Sequence, residues 1–406
     1  MVDSPQWGYI MRMGDDYPYL QLGEKRKMNG QGKKFSLTVI SVLVAGALAA
    51  CGGGGDGGSG AGNSPTTGGG GNTGGTNPPA STSALPPQTS VPAATYPDQS
   101  ATATLYAAIN SYRQALGVGL LRQDAALDAA ASAHSKYEQT NLLSGALQAL
   151  GHDEVSTLPG FTGAWPLLRA QTAGAPKSQF VSEVVAANFS ASGDVANALG
   201  CWTQLVNTVY HLVSVTANTE SVGVGVATPL QANNPAYFCV MDLGTSTGLT
   251  RSPDPSSAVD LNGTPSEGGQ QVDTNLVVTS PYDGESNVAT RMSAESPNPA
   301  SDLSQPGRPI MVRVNAAQSD KLTATSFQLM DASGAVVTAR LLLPASAVSG
   351  SASGAIADPN NLLPAGTAFL IPTAPLQPNT RYTVTFAGTR DGSPRNKTWS
   401  FVTGAN

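Results

Sequence analysis

The spacing of apolar positions changes character along the chain. From Ala101, the residues Leu105, Ile109, Tyr112 and Leu116 recur at helical spacing, and Gly117 and Gly119 close the run, so a first helix is predicted there. Asp124 stands where a helix N-cap belongs, ahead of the Ala-rich stretch DAALDAAASAHSKYEQT, which predicts a second, closely packing helix. A further apolar helical run carries Trp202, and Val222–Gly223–Val224–Gly225 reads as a glycine-punctuated strand. After residue 272 the period becomes two. Short runs rich in Val, Thr, Phe and Tyr alternate with turn signals such as Asp331–Ala332–Ser333–Gly334 and Asp391–Gly392, which predicts an antiparallel all-β sandwich.

Two stretches carry no such pattern. Residues 52–97 are dominated by Gly, Pro, Ser and Thr and cannot bury enough apolar surface to offset the entropy of ordering, so they are expected to be a disordered tether. Residues 248–272 repeat this composition as a shorter linker. The chain of 406 residues thus divides into 1–51, the tether 52–97, an α+β unit over 98–247, the linker 248–272 and a β unit over 273–406. Charged residues make up only 12%, the net charge is −6, and no basic stripe appears beyond the N-terminus, which excludes a nucleic-acid partner.

Within residues 1–51, the segment from Met28, MNGQGKKFSLTVISVLVAGALAAC, has the positive charges Lys33 and Lys34 followed by an uncharged run from Leu37 to Ala50. That run is too short to span a membrane comfortably. Its end, Leu48–Ala49–Ala50–Cys51, resembles a bacterial lipobox, which implies cleavage before Cys51 and acylation of its thiol. Gly52 rather than Asp follows, which by the sorting pattern implies an outer-membrane or cell-surface lipoprotein. Met28 is the expected start, with residues 1–27 an upstream extension. On this reading the partner of the N-terminus is a membrane, and the tether holds the folded part clear of it.

The stretch INSYRQALGVGLLRQDAALDAAASAHSKY, with Asn110, Arg113, Gly117, Leu121, Asp124, Leu127, Ala131, His134 and Tyr137, resembles the opening of bacterial CAP domains (cysteine-rich secretory protein, antigen 5, pathogenesis-related 1). The stretch CWTQLVNTVYHLVSVTANTESVGVGV, with Trp202, His211 and Val222–Gly225, is similar to that family's later signature. The resemblance implies an α-β-α sandwich with a central cleft where two histidines and two acids converge. His152 and His211 match the histidines. Glu183 falls at the family's Gly-Glu-Asn motif without its Gly and Asn, Leu212 replaces the expected Arg, and Glu154 is the nearest candidate for the second acid. His134, on an Ala-rich helix, reads as a satisfied structural histidine. The last part of the chain, with Leu376, Pro378, Thr380, Tyr382, Val384, Gly388, Gly392, Trp399, Phe401 and Thr403, resembles bacterial Ig-like modules and reads as a spacer or contact module.

Two neutral imidazoles beside carboxylates suit Zn²⁺ or another divalent cation, with His152 and His211 as the metal ligands. The same groups could instead hold the cleft walls together by hydrogen bonds. No serine or cysteine lies in a nucleophile-elbow context. The expected function is therefore binding of a small hydrophobic molecule, a divalent metal or a partner protein. The alternatives are a metal-assisted hydrolase or peptidase using His152, His211 and Glu183, and a structural envelope protein with an inert cleft. Cys201 and Cys239 remain after Cys51 is acylated, and an exported compartment allows them to pair as a disulfide. If the lipobox reading holds, Cys51→Ser leaves the protein unlabelled by a radioactive fatty acid and shifts it from the detergent phase to the aqueous phase of a Triton X-114 partition; an unchanged partition would refute it.

Overall fold

The structure, a computed structural model, describes residues 85–190, 192–230 and 235–405. Cys51, the lipobox and residues 52–84 of the tether lie outside the described residues. Among the described residues no helix is long and apolar enough to cross a membrane.

Helix α1 (Ala101–Leu116) starts where the Ser100 hydroxyl accepts the Ala103 N–H and ends at Gly117, whose φ of +70° is left-handed. After the short β1 (Arg122–Gln123), the Asp124 carboxylate accepts the N–H groups of Ala126 and Leu127 and opens α2 (Ala125–Leu143). Then follow α3 (Pro166–Thr172), β2 (Phe180–Phe189), α4 (Asp194–Val206), α5 (Tyr210–Val215), β3 (Ser221–Ala227) and β4 (Ala236–Thr245). The strands form one sheet in the order β1-β3-β4-β2, antiparallel except for β1 beside β3.

Alternation along the strands sorts the two faces. Val184, Ala186, Val222, Val224, Cys239 and Met241 pack with Leu105, Ile109, Leu205 and Leu212, so α1, α4 and α5 cover one face. The intervening Val181 and Val185 meet residues of α2 and α3 on the other. This α-β-α layering is what the CAP resemblance implies. Cys201 of α4 and Cys239 of β4 form a disulfide across a sequence separation of 38, a closure worth about 4 kcal/mol in the loop-entropy account.

The glycines of β3 explain how closely α2 lies on the sheet. A Cβ at Gly223 would sit 2.0 Å from the Leu127 carbonyl carbon, and one at Gly225 would sit 2.1 Å from that of Ala131. Helix backbone and strand backbone therefore touch where any side chain would hold them apart.

The segment after β4 is bonded to the sheet rather than hanging free. Asn262 accepts the Glu183 N–H through its side chain at 2.8 Å, and the Gln270 side chain donates to the carbonyls of Leu120 and Thr219. Beyond it lie β5 (Val278–Ser280), β6 (Ile310–Arg313), β7 (Leu322–Met330), β8 (Ala339–Leu343), α6 (Ala345–Val348), β9 (Ile356–Ala357), β10 (Thr367–Pro372), β11 (Arg381–Arg390) and β12 (Ser393–Val402). They make a five-stranded sheet, β5-β6-β10-β8-β9, and a three-stranded one, β12-β11-β7. Asp391 and Gly392, both at positive φ, turn the β11–β12 hairpin as their sequence suggests.

The central strands β6, β10 and β8 of the five-stranded sheet are buried on both faces. Ile310, Val312, Leu341, Leu343 and Leu370 pack with Phe327, Val384, Trp399 and Phe401 of the smaller sheet. Their neighbours Met311, Leu342, Phe369 and Ile371 instead join the core that contains Leu212 and Val215 of α5. The described residues therefore form one compact unit. Gly225→Ala is expected to lower stability by about 3 kcal/mol, at the upper end of overpacking costs, because its methyl meets helix backbone rather than a movable side chain. Chemical denaturation measures this, and an unchanged midpoint would contradict the close α2 contact.

Candidate functional site

On the α2/α3 face, Glu183 points inward from the middle of β2 and is fully buried. A buried carboxylate needs a compensating cation, and Arg169 of α3 supplies it, donating from Nη2 to Glu183 Oε2 at 2.7 Å. The same guanidinium donates to the His152 carbonyl at 2.9 Å, so one side chain fixes both the acid and the loop carrying the histidine. Burial works against the Glu183 charge, but Arg169, His134 and His152 outweigh it and hold the carboxyl well below its ordinary range.

Asp242 faces Glu183 in the β2–β4 register, and neither of its buried oxygens meets a hydrogen-bond donor among the described residues. Burial and the adjacent Glu183 charge push its pKa far up, so Asp242 stays protonated. Deeper in the layer, His134 of α2 contacts Glu154 through Nδ1 and the Gly151 carbonyl through Nε2, both at 3.0 Å. Burial opposes its charge; Glu183, Glu154 and Glu138 together raise its pKa. Glu138, one turn on, is pushed up to about 7 by burial.

His152 and Glu183 meet as the sequence suggests: His152 Nδ1 lies 3.0 Å from Glu183 Oε1. Glu154 does not join them. Its carboxylate contacts His134 and accepts the N–H groups of Thr162 and Gly163, which makes it a support for the loop. Sequence reasoning gave His134 a structural role, and both of its nitrogens are indeed bonded. Arg169, Glu138 and Asp242 were missed; Arg169 sits on α3 in a run that carries no motif.

His211 sits on α5, which packs against β2 from the opposite face of the sheet. Its Nδ1 lies 3.1 Å from the Thr208 hydroxyl and 3.7 Å from a carboxylate oxygen of Glu295. The Thr208 hydroxyl donates to the Leu205 carbonyl at 2.8 Å, so it is free only to accept from the ring. Burial, and then the His152 ring, lower the His211 pKa to about 3, and the imidazole is neutral.

The two histidines therefore share a design. In each, Nδ1 faces oxygen, while Nε2 has no hydrogen-bond partner among the described residues. Both side chains keep some exposure, 28% for His152 and 16% for His211, whereas His134, Glu154 and Glu183 have none. Two imidazoles thus stand near the edge strand β2. No third His, Cys, Asp or Glu joins them in a metal-holding group among the described residues.

Residues 106–243 match the CAP family, described as the Cysteine-rich secretory protein family, over about a third of the chain. The match takes in His134, His152, Arg169, Glu183, His211 and Asp242 and stops before Glu295. No curated protein matches the chain.

Asp242 must take up a proton on folding once the pH exceeds its unfolded value of about 3.9, so it costs stability increasingly as pH rises toward its raised native value. Asp242→Asn removes that cost and can donate to Glu183. Its melting temperature relative to wild type is expected to rise as the pH climbs above the ordinary carboxylate range; a constant difference would mean that Asp242 is ionised in the fold.

Proposed function

We propose that this protein is a surface-anchored lipoprotein whose CAP portion binds a ligand near the β2 edge through His152 and His211. The observation that carries the binding reading is the pair of imidazoles near the β2 edge, each with Nδ1 against oxygen and Nε2 without a hydrogen-bond partner among the described residues. A divalent cation of the Zn²⁺ type is the ligand class this donor chemistry fits, since carboxylate-oriented imidazole is a common metal ligand. His152 and His211 would hold it, and its remaining positions would be open to water or to a donor from a second ligand. Such a cation would supply a positive centre able to polarise whatever it bound. Glu183 orients His152, Arg169 keeps Glu183 ionised, and Thr208 orients His211.

Binding is favoured over hydrolysis. Glu183 is fully buried and its two oxygens are committed to His152 and Arg169, so it offers no free base to an attacking water. The β-rich region belongs to this reading as an Ig-like module packed on the binding portion, and Cys51 supplies the anchor.

Zn²⁺ titrated into the full-length, disulfide-intact protein by calorimetry is expected to bind with micromolar affinity. His152→Ala and His211→Ala should each weaken binding at least about tenfold. Absence of saturable binding in the wild type, or equal binding in both variants, would overturn the reading.

A further inference from the structure

The six-residue helix that carries His211 is held from outside the CAP match. At its start, the Glu295 carboxylate accepts the Val209 N–H at 2.7 Å and the Tyr210 N–H at 2.9 Å, bonds that a preceding turn of helix would otherwise make. Beside it, the Ser293 N–H donates to the Asn207 carbonyl at 2.9 Å. The Tyr210 hydroxyl donates to Asp358 and accepts from the Asn360 amide. At the other end, the buried guanidinium of Arg313 donates to the Thr216 carbonyl and to the Asn218 side chain. Leu212 and Val215 pack in the same core as Met311, Leu342 and Phe369. Both ends and the buried side of α5 are thus fixed by chain that follows the linker.

Glu295 does more than cap the helix. Its Oε2 lies 3.7 Å from His211 Nδ1, on the same side of the ring as the Thr208 hydroxyl, so both groups facing that nitrogen are oxygens. Two acceptors at Nδ1 leave the lone pair at Nε2. The other charged or titratable group that bears on the ring is His152.

We propose that Glu295 is a positioning residue for His211: it holds α5 beside the β2 edge and keeps the ring proton on Nδ1, so that Nε2 is presented to the ligand. The β-rich region on this account completes the binding site, and is not the spacer its sequence suggests. The inference rests on the binding role given above to His211, but its first readout needs no ligand.

The chain contains only three histidines, so full-length protein labelled with ¹⁵N-histidine gives three ring systems to follow. In the wild type, His211 is expected to show the neutral Nδ1–H tautomer. Glu295→Gln replaces one of the two oxygens with an NH₂ donor beside the N–H groups and the ring; His211 should then show a mixture of tautomers, and Zn²⁺ affinity should fall about 10- to 100-fold. The His134 signals, from the opposite face of the sheet, report whether the fold persists. If they are lost, Glu295→Asp keeps the carboxyl group, withdraws it from the ring and should still give the mixture.

Asp358→Asn loosens the Tyr210 contact without touching the ring, and should leave the tautomer unchanged. An unaltered His211 tautomer and Zn²⁺ affinity in the folded Glu295 variant would overturn the proposal. So would an Asp358→Asn effect equal to that of Glu295→Gln, which would mark general loosening of α5. A tautomer shift without any Zn²⁺ binding by the wild type would uphold the positioning role and refute the cation as ligand.

Discussion

A carboxylate with no exposed surface can stay charged only if a cation lies against it, and Glu183 stays charged because Arg169 does. Much of the α2/α3 layer follows from that contact. Arg169 can reach Glu183 only if α3 lies across β2, and once there it also bonds the His152 carbonyl and orders the loop. An ionised Glu183 gives His152 Nδ1 an acceptor and forces its neighbour Asp242 to remain neutral. Removing the guanidinium would strand the acid, at a cost typical of broken buried pairs, about 3–5 kcal/mol.

The layers of the CAP portion were legible because they rest on local signals. Asp124 caps α2 as its position suggests, Trp202 lies on a helix, and the Val–Gly alternation of β3 places small residues under α2 and valines under α1. His152 with Glu183, and Cys201 with Cys239, were likewise visible in sequence. Arg169, Glu138 and Asp242 were not, since each is an ordinary charged residue until the fold removes it from water. Glu154 was assigned to the histidine pair by proximity in sequence to His152, but its carboxylate turns to His134 and the N–H groups of Thr162 and Gly163.

The relation between the two halves was misjudged for a physical reason that can be recognised afterwards. Polar, glycine-rich composition over 248–272 suggests a free linker, yet its amide side chains are the groups that bond the exposed edge of β2 and the carbonyls of Leu120 and Thr219. The runs Ile310–Met311–Val312 and Leu341–Leu342–Leu343 are apolar at every position. A sandwich strand with one wet face alternates; an unbroken run marks a sheet covered on both sides. Here the second cover is the core around α5.

The clamp on α5 also sets an order of events during synthesis. Val209 leaves the ribosome 86 residues ahead of Glu295, the acceptor of its N–H, and Thr216 leaves 97 residues ahead of Arg313. Chains fold domain by domain as they emerge, so the sheet and its α1, α2 and α4 layers can assemble while the His211 helix still lacks its supports. The side-chain contacts around Glu183 span 14 to 31 residues, whereas those that hold α5 span 85 or more and are of the kind that form slowly. The His211 side of the candidate site is therefore completed late, by translation of the region that follows it.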